Sequence, residues 1–212
     1  MKRICVIWAG SGIGEALFLH YKRSGYDVDS ITREDADLSN TQDTIQLIEK
    51  IKKQGYDIVI FSAGVWYYKE FASLTSQEIR EQVYVNTLTP LQVLLALGVK
   101  TKFVYLSSIM QYIPAKNMSI YASMKRATSQ TILAIQTESG DRKVLSIDLG
   151  AVKTPMHIKA GMKKTVWRDI EKVLPKLIKV IEKKQWTKTL FFDWWFMIHV
   201  IFPLYSLFLK LK

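Results

Sequence analysis

Hydrophobic residues along this chain alternate between short continuous runs and longer segments in which apolar and polar positions are mixed. The continuous runs are typical of buried strands and cover residues 4–8, 26–32, 56–64, 102–108 and 143–150. The mixed segments are typical of helices and cover residues 14–24, 40–54, 76–97 and 121–137. Strands that are apolar throughout and alternate with helices require a parallel sheet covered on both faces, so the pattern predicts an α/β fold.

The chain is less regular after residue 150. Residues 153–166 combine Pro155, Gly161 and several lysines, which predicts a loop. A helix is predicted from Pro175, as its first residue, to about Lys184, and a last strand over residues 187–192. Because ligands of parallel sheets bind at the carboxyl ends of the strands, the residues with chemical roles are expected there.

The stretch WAGSGIG at residues 8–14 directly follows the first apolar run. Glycines let backbone amides approach a phosphate, and the start of the next helix directs partial positive charge at an anion. The common pattern G-x-G-x-x-G would need glycine at position 15, where this chain has Glu15. The stretch predicts a phosphate-binding loop, and an ordinary strand-to-helix turn is the alternative.

Tyr121 and Lys125 are four residues apart in a predicted helix, so their side chains share one face. A phenol with a pKa of about 10 exchanges protons poorly near pH 7, and nearby positive charge would lower that pKa by about 3 units. The pair predicts an acid–base site. The alternative is a pair on the helix surface.

Further residues lie at characteristic distances from this pair. Ser108 ends a buried strand thirteen residues before Tyr121, and Asn86 lies in the preceding helix. The order and spacing resemble the short-chain dehydrogenase/reductase family over residues 3–158. Its motif T-G-x-x-x-G-x-G falls on residues 7–14, N-N-A-G on residues 61–64 and P-G-x-x-x-T on residues 149–154. Asn86, Ser108, Tyr121 and Lys125 match its four catalytic positions.

The resemblance implies a Rossmann fold, a doubly wound parallel sheet in a three-layer αβα arrangement, over one domain of residues 1–193. It implies that Tyr121 is the general acid that protonates a carbonyl oxygen as hydride arrives from a nicotinamide. Lys125 would hold the nicotinamide ribose and lower the pKa of Tyr121. Ser108 would donate a hydrogen bond to the carbonyl, and Asn86 would steady a proton-relay water where its helix is kinked.

The resemblance also implies dinucleotide-binding residues at the strand ends. Those expected to contact the cofactor are Ala9, Gly10, Ser11, Gly12, Ile13, Gly14, Arg33, Asp37, Leu38, Ser62, Ala63, Gly64, Tyr121, Lys125, Gly150, Val152 and Thr154. Asp37, followed by Leu38, matches the acid that recognises adenine. Arg33 stands where a 2′-phosphate would lie, with no acidic residue immediately before it, so NADP is predicted and NAD is the alternative. If Arg33 is only solvated, Glu34 and Asp35 would repel the phosphate.

Three sites depart from the family's motifs. Trp8 replaces the first glycine, which normally lets the strand turn tightly, so its indole must turn away or narrow the cofactor site. Phe61 and Ser62 replace the paired asparagines, and Leu149 replaces the proline. The changes leave the four catalytic positions intact and bear on cofactor affinity.

Composition and charge narrow the class of protein. Apolar residues make up 49% and charged residues 23%, which is typical of a globular chain. Residues 1–158 carry 18 basic and 15 acidic side chains, whereas residues 159–212 carry 12 and 4. Basic residues beside an apolar, aromatic tail favour a membrane surface over nucleic acid. Cys5 lies in an apolar run, so its thiol is expected to be packed in the core. The N-terminal apolar run is too short for a secretory signal. No residues have the spacing of metal ligands. A cytoplasmic protein without a metal is predicted.

The tail over residues 194–212 is predicted to be an apolar helix flanked by lysines. Its apolar part, residues 194–209, would span about 24 Å as a helix, against about 30 Å for a membrane core. An in-plane anchor on the inner membrane face is therefore predicted. A subunit interface in a homo-oligomer and a cover over the substrate cleft are the alternatives.

The sequence as a whole predicts an NADP-dependent carbonyl reductase or alcohol dehydrogenase for a small carbonyl or alcohol substrate. Met156, Ile158 and Met162, with His157 among them, favour an apolar substrate. Two alternatives remain on the same fold: a non-catalytic nucleotide sensor, which Trp8 favours, and a membrane-associated scaffold that has lost the cofactor.

Overall fold

The computed structural model describes residues 2–113, 116–156, 168–183 and 188–189. Its centre is a sheet of six parallel strands in the order β2-β1-β3-β4-β5-β6. The strands are β1 (Arg3–Ile7), β2 (Asp27–Ile31), β3 (Ile58–Phe61), β4 (Lys102–Ser108), β5 (Val144–Leu149) and β6 (Lys188–Thr189). The predicted doubly wound parallel sheet is confirmed, and β6 lies within the predicted last strand.

Helices cover both faces of this sheet. They are α1 (Gly12–Arg23), α2 (Thr41–Gln54), α3 (Ser76–Val83), α4 (Thr89–Ala96), α5 (Ser119–Glu138) and α6 (Ile170–Lys183). Side chains alternate along each strand, so β1 sends Val6 into a core with Leu17 of α1 and Ile7 into a second core with Leu47 of α2. The three-layer αβα arrangement is confirmed. Cys5 is fully buried in the second core, as predicted for a packed thiol.

The predicted helix over residues 76–97 is interrupted. A π-helical turn, Tyr84–Leu88, separates α3 from α4. Pro90 has no backbone N–H and therefore cannot donate the usual helical bond to the Asn86 carbonyl four residues earlier. Hydroxyl groups of Tyr105 and Thr128 donate to that carbonyl instead, each at 2.8 Å. The turn brings Asn86 to the carboxyl ends of the strands.

The prediction that Pro175 begins a helix is wrong. α6 begins at Ile170, and Pro175 lies inside it. The bond that Pro175 cannot donate would have gone to the carbonyl of Glu171, an exposed residue whose carbonyl water can satisfy. The proline is therefore tolerated one turn into the helix.

Several predictions concern residues outside the described part of the chain. They include the tail over residues 194–212, the domain boundary at residue 193 and most of the loop, with His157, Ile158 and Met162. None of the helices described is both long enough and apolar enough to cross a membrane.

Candidate functional site

The turn after β1 keeps a glycine-like backbone at a tryptophan. Trp8 has a φ of 67°, in the left-handed region that favours glycine. Its N–H and that of Ala9 both donate to the carbonyl of Ile31 at the end of β2, at 2.6 and 2.9 Å. The neighbouring strand thus imposes the conformation. Trp8 borders the cleft and packs against the core that contains Ile7 and Leu47.

The third glycine of the loop is required by space. A Cβ atom on Gly14 would lie 2.3 Å from the carbonyl oxygen of Trp8 and 2.4 Å from Oγ of Ser62. Ser62 donates from that hydroxyl to the carbonyl of Ile7 at 2.6 Å, which ties the end of β3 to the loop. The first turn of α1 can therefore pack this closely against the ends of β1 and β3 only because Gly14 has no side chain.

The N-terminus of α1 fits an anionic group. Ser11 precedes the helix and makes no side-chain cap, so first-turn N–H groups are not satisfied by a capping side chain. Gly12 adopts a φ of 61°, and Thr154 lies across from it, 3.5 Å from where a Cβ atom would stand. Unsatisfied amides and the helix dipole at this end are suited to a pyrophosphate.

One cavity of about 240 Å³ connects this loop to the residues predicted to be catalytic. The predicted residues that line it are Ser11, Gly12, Ile13, Gly14, Ser62, Ala63, Gly64, Ser108, Tyr121, Lys125, Gly150, Val152 and Thr154. Ala9, Leu38 and Asn86 are buried and do not line the cavity. Gly10 lies against Thr32: a Cβ atom placed on Gly10 would stand 3.6 Å from the Cβ atom of Thr32. Strand ends thus bring together residues that are far apart in the sequence.

Tyr121 is buried on α5, and a hydrogen bond from Ser108 lowers its pKa. Burial has the larger effect, because it penalises the phenolate, and the pKa of Tyr121 rises to about 12. The sequence-based expectation that Lys125 lowers this pKa therefore does not hold for the protein alone. The physical reason is that the burial of the phenol itself outweighs the hydrogen bond with Ser108.

Lys125 is only 2% exposed, and burial lowers the pKa of its ammonium to about 7. Its Nζ donates to the carbonyls of Leu106 and Ala63, at 2.9 and 3.4 Å. It lies 5.8 Å from the centre of the Tyr121 ring. The two side chains share one face of α5, as predicted, and both line the cleft.

Asn86 is fully buried, and its polar groups are bonded to protein. Its side chain accepts from the N–H of Val65 at 3.2 Å and donates to the carbonyl of the same residue at 2.7 Å. Its own carbonyl accepts the hydroxyls of Tyr105 and Thr128. The role of Asn86 as the holder of a relay water stays a prediction. Asn86 fixes the segment after β3 beside the cleft.

The turn after β2 contains the predicted 2′-phosphate and adenine contacts. The side chain of Arg33 is 62% exposed, with its guanidinium 3.5 Å from Glu81. The carboxylate of Asp35 accepts from the N–H and hydroxyl of Thr32, which lowers its pKa and turns it towards Thr32. Asp37 accepts from the backbone and hydroxyl of Ser39, and its pKa is also lowered. Arg33 thus remains accessible, whereas these two carboxylates are engaged.

Sequence reasoning missed most of the apolar wall beside Tyr121. Trp66 lies over Tyr121 with ring centres 5.8 Å apart and a tilt of 32°. Met110, Met118 and Met156 line the same cavity, and only Met156 was expected there. The position of Trp66, two residues after the glycine that ends the third strand motif, could have indicated a cleft residue.

A buried polar cluster supports the turn that begins at Ser108. This one-turn 3₁₀ helix, Ile109–Tyr112, is bonded to Asp148 of β5 by the side chains of Gln111 and Tyr112. Asp148 is fully buried. In the part of the chain that the structure describes, no group of three or more His, Cys, Asp or Glu residues could hold a metal ion.

Comparison with known proteins agrees with this geometry. The family model for short chain dehydrogenases matches residues 29–165. The search of curated proteins gave no match. Many solved structures share the fold.

Three of these solved structures illustrate the similarity. 4-Hydroxyisoleucine dehydrogenase complexed with NADH is 16% identical, with a TM-score of 0.76 over 92% of this chain and 98% of that chain. A short-chain dehydrogenase from Sphingobium yanoikuyae in complex with NADPH is 17% identical, with a TM-score of 0.77 over 98% and 92%. The bulky-bulky ketone specific alcohol dehydrogenase from Comamonas testosteroni is 18% identical, with a TM-score of 0.78 over 99% and 92%. At such identities the structures show the fold alone. The family model, which covers more than half of the residues, shows that this chain belongs to the short-chain dehydrogenase/reductase family of NAD(P)-dependent oxidoreductases.

Proposed function

We propose that the protein is an NADP-dependent carbonyl reductase or alcohol dehydrogenase that acts on a small apolar substrate. The observation that carries this proposal is the convergence of three side chains on one cavity: Ser108, Tyr121 and Lys125 line it together with the open N-terminus of α1. A dinucleotide bound along this cleft would supply the hydride.

The choice of NADP rests on the turn after β2. Arg33 offers an exposed guanidinium to a 2′-phosphate, and hydrogen bonds turn the carboxylate of Asp35 towards Thr32. Binding of the phosphate would compete only with a 3.5 Å ion pair to Glu81. Related structures contain either NADPH or NADH, so the fold accommodates both cofactors.

Tyr121 would move the proton. In the reductive direction hydride adds to the carbonyl carbon, the O–H bond of Tyr121 breaks, and its proton passes to the substrate oxygen. A phenol whose pKa is about 12 is fully protonated near pH 7, as an acid must be. The resulting phenolate would be stabilised by the Ser108 hydroxyl and the Lys125 ammonium, and Lys125 would also hold the nicotinamide ribose. Because two groups are poised at the oxygen, the site can polarise a carbonyl without a metal ion.

An apolar substrate is favoured by the wall of the cavity. Trp66 and the methionines Met110, Met118 and Met156 border the catalytic phenol, and methionine adapts to irregular apolar shapes. The similar enzyme from Comamonas testosteroni is described as specific for bulky ketones. A substrate with apolar groups on the carbonyl carbon suits these surroundings.

Replacing Tyr121 by Phe tests the proposal. With NADPH deuterated at nicotinamide C4 and a panel of apolar ketones, the unmodified protein should transfer deuterium to the alcohol carbon. Tyr121→Phe should reduce that rate about 10²- to 10⁴-fold, because the general acid is lost. Tyr68→Phe, which removes an exposed phenol that does not line the cavity, should leave it unchanged. Equal turnover by the Tyr121→Phe protein would remove the catalytic assignment.

A non-catalytic sensor of nucleotides is the second candidate, because Trp8 and Met156 narrow the cleft. Cε of Met156 lies 3.6 Å from where a Cβ atom on Gly64 would stand. A sensor would quench protein fluorescence on binding NADPH and transfer no deuterium to any ketone. An enzyme, in contrast, should both bind NADPH and transfer deuterium to a ketone.

Attachment to a membrane or to a second subunit through the tail stays a sequence-based prediction. Deleting residues 194–212 should release the protein from sedimenting lipid vesicles if the tail is an anchor. If it forms a subunit contact, the deletion should instead lower the molar mass measured by light scattering. A deletion that changes neither result would leave the tail without an anchoring or assembly role.

A further inference from the structure

Lys125 is a buried cation that has few partners for its charge. Two main-chain carbonyls, of Leu106 and Ala63, accept from its Nζ. No carboxylate within the described residues shifts the pKa of Lys125, which burial alone lowers to about 7. Because an ammonium loses much of its hydration on burial, Lys125 keeps its charge only to the extent that neighbouring groups stabilise it.

The ring of Tyr105 provides such a group. Nζ of Lys125 lies 4.6 Å from the centre of the Tyr105 ring, closer than the 5.8 Å to Tyr121. The face of an aromatic ring carries partial negative charge and attracts a cation within about 6 Å, most strongly where water is excluded. Tyr105 is fully buried, so this attraction acts with little screening.

Hydrogen bonding and packing hold the Tyr105 ring in place. Its hydroxyl donates to the carbonyl of Asn86, which Pro90 leaves without its usual helical donor. Phe61 of β3 packs beside it, with ring centres 6.2 Å apart. Asn86 therefore interacts with Lys125 indirectly: its carbonyl holds the Tyr105 hydroxyl, and the Tyr105 ring contacts the ammonium.

We propose that Tyr105 is a positioning residue of the dehydrogenase site, whose ring face holds the Lys125 ammonium in its charged form beside Tyr121. The consequence for catalysis rests on the proposed function, whereas the effect on Lys125 does not. Sequence reasoning missed Tyr105 because it lies in an apolar run and was interpreted only as part of a buried strand.

The titratable groups around this position come from three elements. Tyr121 lies on α5 with Lys125, Tyr105 lies on β4, and Asp148 on β5 acts on Tyr105, whose pKa burial raises well above 10. The π-helical turn contributes Asn86, which carries no charge. Lys125 is the cation among them, so its titration can be followed as a single event.

The experiment measures that titration directly by NMR on cofactor-free protein with ¹⁵N-labelled lysine side chains. Lys125→Met identifies the resonance of Lys125, and the other lysine signals serve as internal controls. Tyr105 is replaced by phenylalanine and by phenylalanines with one, two and three ring fluorines. These side chains keep nearly the same shape, while each fluorine makes the ring face less negative. Tyr105→Leu, which removes the ring, is the simpler companion variant.

Tyr105→Phe should keep the titration midpoint of Lys125 close to that of the unmodified protein, because the ring remains. The midpoint should then fall with each fluorine, by roughly one pH unit over the series. In Tyr105→Leu the midpoint should be lowered at least as far. A midpoint that does not respond to fluorine would overturn the proposal. So would a drop in Tyr105→Phe as large as that in the leucine variant, since the hydroxyl alone would then act on Lys125. If the leucine variant does not fold, the fluorinated series still decides.

Turnover provides the second readout. The pH dependence of kcat for NADPH-driven reduction should shift with the NMR midpoint across the fluorinated series. A midpoint that moves in a protein with no reductase activity would support the role of Tyr105 and refute the proposed function. Reductase activity with a midpoint that does not move would support the proposed function and refute the role of Tyr105.

Discussion

The two halves of the cleft differ in how closely they follow the family's motifs. In the catalytic half, formed by β4 and α5, Ser108, Tyr121 and Lys125 are the residue types that the family uses. In the nucleotide half, formed by β1, α1 and the turn after β2, Trp8 replaces a glycine, yet its backbone keeps the conformation of one. The difference teaches that a site for proton transfer needs particular side chains, whereas a phosphate loop mainly needs a particular backbone.

Removing the Ser108 hydroxyl should have the largest effect in this comparison. Ser108→Ala should lower kcat about 10²- to 10³-fold, because a donor to the developing oxyanion is lost. Ser108→Thr, which retains a hydroxyl, should recover part of the activity. Steady-state rates with thermal unfolding as a control measure both. Full activity in Ser108→Ala would mean that side-chain identity is not essential even in the catalytic half.

Arg33 tests whether a side chain matters at one position of the nucleotide half. Arg33→Ala should weaken NADPH binding by about 10- to 100-fold and leave NADH binding nearly unchanged, because only NADPH carries the 2′-phosphate. Arg80→Ala removes another exposed arginine, on α3, and should affect neither. Titrations of protein fluorescence give the affinities. Equal losses for both cofactors in Arg33→Ala would argue against a contact with the phosphate.

The buried Lys125 should make stability depend on pH in a defined window. Its pKa is about 7 in the folded protein, against an ordinary 10.5, so between these values the unfolded chain binds a proton that the folded chain lacks. The free energy of unfolding should therefore rise with pH from about 7 to 10, by up to about 1.4 kcal/mol per unit from this group. Below pH 7 the full cost of the buried charge is present.

Comparison with Lys125→Met isolates that contribution. The stability advantage of the methionine variant should be greatest below pH 7 and shrink towards pH 10, as measured by urea unfolding without cofactor. Above pH 10 the raised pKa of Tyr121 acts in the opposite direction, since the unfolded chain loses its tyrosine protons first. A gap between the two proteins that is independent of pH would mean that the folded-state pKa of Lys125 is not lowered.

Trp8→Gly should have the smallest effect. Glycine adopts the observed φ without strain and removes the indole from the cleft, so NADPH should bind about three- to tenfold more tightly. Among the residues that the structure describes, Asn117 is the second non-glycine residue with a positive φ. Asn117→Gly relieves similar strain away from the nucleotide loop and should leave affinity unchanged. Weaker binding by Trp8→Gly would show that the indole contributes a contact of its own.

The fold could be predicted from the sequence because most of its strands are largely apolar and its helices have clear ends. Asn40 illustrates this: its side chain accepts from the N–H groups of Gln42 and Asp43 and caps α2 at the residue where the predicted helix begins. The family resemblance implied a kink at Asn86, but the π-helical form of the turn could not be predicted, because the hydroxyls that satisfy the Asn86 carbonyl come from β4 and α5. Such contacts depend on tertiary packing.

The set of residues proposed for the catalytic site could be predicted for two reasons. Residues four apart share one face of a helix, and the carboxyl ends of parallel strands lie close together in space. Its electrostatics could not. Tyr121 and Lys125 are adjacent, as the spacing of four residues requires, but burial raises one pKa and lowers the other. Burial depends on neighbours such as Trp66 and Tyr105, which a local motif does not include.

A crystal structure of the protein with NADP⁺ would test the central claim most directly. The account predicts the pyrophosphate at the N-terminus of α1 and the nicotinamide ring beside Gly64, with its reactive carbon facing the Tyr121 hydroxyl and Met156 moved aside. A cleft that stays closed by Trp8 and Met156 at saturating NADP⁺, or a nicotinamide bound away from Tyr121, would contradict it.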